Sequence, residues 1–164
     1  MTLRTPIRAG IVVSLSIALA AGCASRPTGV LVETAATAPG ATDVDMLVAT
    51  TREPSDRPGI VFSGERGSGV SLTSFTISVP PEQNRQVGQV QWPTRLPADP
   101  ARDFATVDVS PLASVDEARG WLNHHLPKTR RVLIFVHGFN NGFEDAVYRF
   151  AQIAHDSHAD AAPV

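Results

Sequence analysis

Along the chain, apolar and polar positions change period twice, and the changes mark out the elements. Val44 to Thr50 is a short apolar run and predicts a strand. Thr51 to Gly69 carries Pro54, Pro58, Gly59, Gly64, Gly67 and Gly69, which predicts a loop. Ser71 to Val79 alternates, with Thr73, Phe75, Ile77 and Val79 on one face, as in a half-buried strand. Pro80 and Pro81 end it, because proline cannot donate to a ladder. Val87 to Trp92 reads as the return strand of a hairpin, and Phe104 to Val109 as a fourth strand.

Beyond residue 113 the period becomes helical. Ser114 with Glu117 forms a capping box, and Val115, Ala118, Leu122 and Leu126 follow at helical spacing until Pro127. Val132 to Val136 is continuously apolar, the pattern of a strand covered on both faces. His137 to Gly142 predicts a turn. Asn141 and Glu144 form a second capping pair, which makes Asn141 the candidate helix cap. Phe143, Ala146, Val147, Phe150, Ala151 and Ala154 then line one helical face. Pro163 and Val164 begin another strand. Strand, helix, strand, helix, strand predicts an α/β layered fold, with the early hairpin as an antiparallel edge.

The N-terminus carries a different signal. Arg4 and Arg8 precede an apolar run from Ile11 to Gly22. A basic start, a short apolar core and a small-residue end make a secretory signal over residues 1–22. The run is shorter than the roughly 20 apolar residues that span a bilayer. Without residues 1–22 the chain has 12 basic against 16 acidic residues, a net charge of −4. It has no basic tract, so nucleic acid is not an expected partner.

Cys23 is the only cysteine, so no internal disulfide can form. Leu19-Ala20-Ala21-Gly22-Cys23 resembles a bacterial lipobox, with Ala20 where a larger aliphatic residue is usual. The resemblance implies lipidation of Cys23 and anchorage to a membrane. Ala24 follows in place of aspartate, which by resemblance to Gram-negative lipoproteins implies the periplasmic face of the outer membrane. Residues 23–43, rich in Ala, Thr, Pro and Gly, read as a flexible tether, and residues 44–164 as the folded domain.

The chemistry is concentrated after the apolar strand, in His137-Gly138-Phe139-Asn140-Asn141. This segment resembles the His-Gly loop of α/β hydrolases. The stretch from Val132 to His155 is similar to a branch of uncharacterised bacterial α/β hydrolases, often lipoproteins, with a His-Gly-aromatic-Asn-Asn signature. Val48 to Arg52 and Val90 to Pro93 fit that branch too. The likeness covers most of residues 45–164 and implies the N-terminal portion of an α/β hydrolase sheet: antiparallel hairpin strands, then parallel βαβ units.

It also implies roles. Acyl transfer places negative charge on a carbonyl oxygen, and pre-aimed N–H groups stabilise it. In this fold one donor comes from this loop and one from the residue after the nucleophile. The resemblance assigns the loop donor to the backbone N–H of Phe139, helped by Asn140. Gly138 would permit a tight turn and close approach of substrate. His137 would orient the loop, with no role as catalytic base. The expected ligand is a small acyl or ester substrate, with no cofactor and no metal. His155 and His158, three apart, are too few ligands for a convincing metal site.

The nucleophile is not in these residues. A G-x-S-x-G elbow should follow the oxyanion loop, and none lies between Gly138 and Val164. Gly67-Ser68-Gly69 is the nearest likeness, but Arg66 occupies the first glycine's place, and it reads as a flexible turn. The resemblance therefore implies a sheet that is incomplete here, with nucleophile, acid and base beyond residue 164. It also implies little hydrolysis by these residues alone and an open, association-prone sheet edge. The competing expectation is a non-catalytic envelope lipoprotein acting as a binding or structural module. The sequence does not specify an oligomeric state.

Overall fold

The computed structural model describes residues 27–138 and 140–164; residues 1–22, expected to be a secretory signal, Cys23 and Phe139 lie outside the described residues. Three antiparallel strands form the first sheet: β1 (Thr42–Pro54), β2 (Phe62–Val79) and β3 (Ala105–Leu112), in the order β1-β2-β3. Helix α1 (Val115–His125) follows. A parallel βαβ unit then runs through β4 (Val132–Leu133), α2 (Phe143–Ser157) and β5 (Ala162–Pro163). The fold is mixed α/β, as the change of period predicts, and is consistent with part of an α/β hydrolase fold.

Both helices form where their apolar spacing places them. At α1, Ser114 Oγ accepts the Glu117 N–H at 3.1 Å, and the Glu117 carboxylate accepts the Ala113 N–H at 2.9 Å. These bonds occupy donors that the first helical turn cannot satisfy. In α2, Phe143, Val147, Phe150 and Ala151 are buried against the first sheet, with Phe143 edge-on to Phe62 at 4.9 Å. Tyr148 joins them, fully buried, although the apolar spacing omits it. Its hydroxyl donates to the Val30 carbonyl at 3.1 Å and lies 3.2 Å from Thr106 Oγ1. Burial pushes its pKa up to about 12.

The first sheet departs from the predicted layout in two ways. Most of the expected loop over Thr51 to Gly69 is strand: β1 and β2 pair as a long ribbon, and the hairpin closes over residues 55–61. Gly67-Ser68-Gly69 therefore lies within β2 and forms no turn. The glycines there fall in the two register shifts, between Phe62 and Arg66 and between Arg66 and Ser71, where the strand bulges, and Gly64 and Gly69 are solvent-exposed. Val87 to Trp92 is no strand, because the second edge of β2 is taken by β3, from Leu72↔Leu112 to Ser78↔Ala105. That segment is held instead by Arg85, whose buried guanidinium pairs with Asp156 of α2. The Gly88 N–H also donates to Asp156 at 2.7 Å.

Residues expected to be a flexible tether also belong to the core. Val30 and Leu31 are buried. The Thr34 N–H donates to the Thr106 carbonyl at 2.9 Å, beside a parallel bridge from Glu33 to Thr106. Composition hides this because the three apolar residues Val30, Leu31 and Val32, set among Thr, Gly and Ala, show no period.

Burial of Val132 to Val136 on both faces is not found. Leu133 and Phe135 pack on the core, Phe135 stacking on Phe150 at 5.2 Å. Val132, Ile134 and Val136 are 38%, 70% and 85% exposed. Pairing with β5 is parallel, as predicted for a strand beginning at Pro163, and the ladder continues through the Phe135 N–H to the Val164 carbonyl at 2.9 Å.

Candidate functional site

The His-Gly turn stands between the end of the β4 ladder and the start of α2. His137, Gly138 and Asn140 are exposed, and Asn141 is half-buried. His137 Nδ1 lies 3.1 Å from the Gly138 carbonyl, so its imidazole engages the turn's own backbone. Asn140 takes the left-handed conformation, φ 61°, which asparagine tolerates better than most residues. The residue that turns the chain is thus Asn140. Gly138 is not among the residues of positive φ. A methyl at Gly138 would lie 3.8 Å from Asn141 Nδ2, an ordinary contact.

The predicted helix cap is displaced. Gly142 is the N-cap of α2, one residue past Asn141, and it supplies no side-chain cap. The Glu144 carboxylate does not close a capping pair there. Its side chain is buried and accepts the Gly29 N–H at 3.1 Å, tying the N-terminal segment to the first turn of α2. A carboxylate at that position also suits the positive end of the helix dipole.

Sequence reading missed the role of Arg52. Its Nη2 donates to the Asn141 carbonyl at 2.9 Å and its Nη1 to the Ser63 carbonyl at 3.2 Å. Arg52 and Asn141 are 89 residues apart, a separation no local pattern reports. The β1–β2 register shifts on both sides of Arg52, and this irregularity brings the Ser63 carbonyl within reach.

Together these residues wall a cavity of about 680 Å³ lined by Arg52, Phe62, Ser63, His137, Gly138 and Asn141. One side is the ribbon and the other is the turn with the start of α2. The Arg52 guanidinium and the helix N-terminus on this cavity favour negative charge inside it, and the Glu144 carboxylate, which also lines it, opposes it. A larger cavity of about 850 Å³ lies between the ribbon and the start of α1 and includes no residue of the turn.

The remaining histidines lie away from this cavity. His155 and His158 are 6.2 Å apart between ring centres. Among the described residues no group of three His, Cys, Asp or Glu side chains could hold a metal ion. His155 has its pKa lowered, first by burial and then by the Arg85 charge. Asp156 Oδ1 lies 3.2 Å from His155 Nδ1 and also serves Arg85, while the Glu82 charge opposes the lowering without reversing it. A histidine whose folded pKa is depressed binds fewer protons in the folded state. Its contribution is present above the unfolded value near 6.5 and is lost as pH falls through the folded pKa. Urea unfolding should show a midpoint that drops as pH falls below about 6.5, with a smaller drop in His155→Gln. An equal drop in both would remove His155 as the cause.

Among the described residues no helix is long and apolar enough to cross a membrane. Comparison with curated proteins found no match, and neither did comparison with solved structures. Residues 114–164 match the family model described as "Alpha/beta hydrolase of unknown function (DUF900)", so the region spanning α1, β4, the His-Gly turn, α2 and β5 is similar in sequence to α/β hydrolases.

Proposed function

We propose that these residues form the oxyanion side of a membrane-anchored α/β hydrolase of the esterase type, acting on small acyl esters. The observation that carries the reading is the placement of the turn. It follows a parallel strand, precedes a helix N-terminus and opens on the cavity walled by Arg52 and Phe62. A substrate carbonyl lying there would direct its oxygen at the backbone N–H of Phe139, with Asn140 assisting. As a nucleophile attacks, charge develops on that oxygen, and the N–H offers more to it than to the neutral carbonyl. His137 would hold the turn through the Gly138 carbonyl, and Gly138 would leave room for the substrate. The serine, acid and histidine that complete the reaction would come from outside these 164 residues, which contain no G-x-S-x-G elbow. By themselves the 164 residues would then turn over little ester.

Acylation of Cys23 would anchor the protein at the periplasmic face of the outer membrane, each buried CH₂ contributing about 0.8 kcal/mol. The non-catalytic alternative draws on the exposed apolar row of Val132, Ile134 and Val136, in and just beyond β4, a surface suited to binding. One set of measurements separates the readings. The hydrolase containing these residues should cleave p-nitrophenyl esters and take up labelled palmitate only while Cys23 is present. Turnover that survives substitution at both His137 and Gly138 would defeat the oxyanion assignment, and label retained in Cys23→Ser would defeat the anchor.

A further inference from the structure

From the two bonds of Arg52 we infer that this residue sets the aim of the oxyanion turn, an inference that rests on the reading of that turn given above. The turn is exposed at His137, Gly138 and Asn140 and carries a left-handed residue at Asn140. His137 engages it from within at the Gly138 carbonyl, and a contact from outside can fix it further. Arg52 does so at the α2 side, donating to the Asn141 carbonyl at 2.9 Å. The same guanidinium donates to the Ser63 carbonyl at 3.2 Å, so the turn is referenced to the rigid β1–β2 ribbon. A planar fork can serve two carbonyls at once; a lysine ammonium is a compact charge on a flexible stem. A displacement of about 1 Å in a donor is enough to cost about 100-fold in a reaction that depends on its position. Arg52 is therefore a positioning residue for the turn; because its charge also faces the cavity, broadening of the turn amides is the readout that loss of charge alone would not move.

The test uses the 164-residue chain and needs no nucleophile. Butyrate, the carboxylate product of a simple ester, offers the same oxygen chemistry to the turn. Its titration is followed by backbone amide NMR of residues 138–142, alongside thermal unfolding. The native chain should show saturable shifts confined to those amides. Arg52→Gln should weaken butyrate binding at least about fivefold and broaden the turn amides, with the rest of the spectrum kept. Arg52→Lys should fall between the two, and it serves as the working variant if Arg52→Gln does not fold. Tyr148→Phe is the control for stability alone: it removes a buried, hydrogen-bonded hydroxyl, should lower the unfolding temperature and should leave butyrate binding unchanged. Butyrate shifts in the native chain that persist at full strength in the Arg52 variants would overturn this inference and leave the oxyanion reading standing. Absence of butyrate shifts in the native chain would overturn both.

Discussion

Gly59→Ala should remove much of this protein's stability margin, roughly 4 kcal/mol or more. Gly59 has φ 72°, where an L-residue with a Cβ is strained by about 1–2 kcal/mol. Steric overlap costs more than this strain. A methyl there would overlap the backbone carbonyl of Gly29 and press on Val32 at 3.0 Å. That crossing is also where the Leu31 N–H donates to the Gly59 carbonyl at 3.0 Å. Relief of the overlap would require the 29–34 segment to lift, exposing Val30 and Leu31 and pulling the Val30 carbonyl from Tyr148. A domain of this size has only about 5–15 kcal/mol in total. Gly64→Ala is the matched control, since nothing lies within 4 Å of a methyl there. It should change stability by less than about 0.5 kcal/mol. Urea denaturation of the two variants gives the comparison, and equal midpoints would refute the crossing as a stability determinant.

The second large effect is expected on activity and not on stability. Gly138 has no positive φ, and a methyl would meet only Asn141 Nδ2 at 3.8 Å. The fold therefore does not demand glycine there. If the glycine serves approach of substrate to the turn, Gly138→Ala should leave the unfolding midpoint within about 0.5 kcal/mol of the native value. In the hydrolase that contains this segment, it should lower ester turnover about 100-fold, comparable to loss of an oxyanion donor. A variant that loses both stability and turnover would show Gly138 to be structural, and one that loses neither would show the turn to be remote from substrate.

These effects also mark what can be read from the chain alone. The capping box at Ser114, the apolar face of α2 and the strand beginning at Pro163 are local patterns, and each is found where its spacing puts it. The long hairpin is hidden because Gly64, Gly67 and Gly69 resemble loop composition while serving as exposed ribbon. Continuous hydrophobicity in Val132 to Val136 suggests two covered faces, yet only the Leu133 and Phe135 side meets the core. Val30 and Leu31 lack a period because they dock singly, held by backbone bonds to Gly59 and Tyr148. At the site, the turn itself is legible from its residue types. What holds it is not: Arg52 reaches Asn141, and Glu144 reaches Gly29, across separations of 89 and 115 residues. Tertiary hydrogen bonds of that kind leave no periodic trace.

The proposed chemistry depends above all on where one amide points. A high-resolution crystal structure that places the Phe139 N–H is the most direct measurement. It should show that group facing the cavity between Arg52, Phe62 and Asn141, with no acceptor from the protein. A Phe139 N–H engaged in a strand ladder, or turned into the packing beneath α2, would contradict the hydrolase reading of this site.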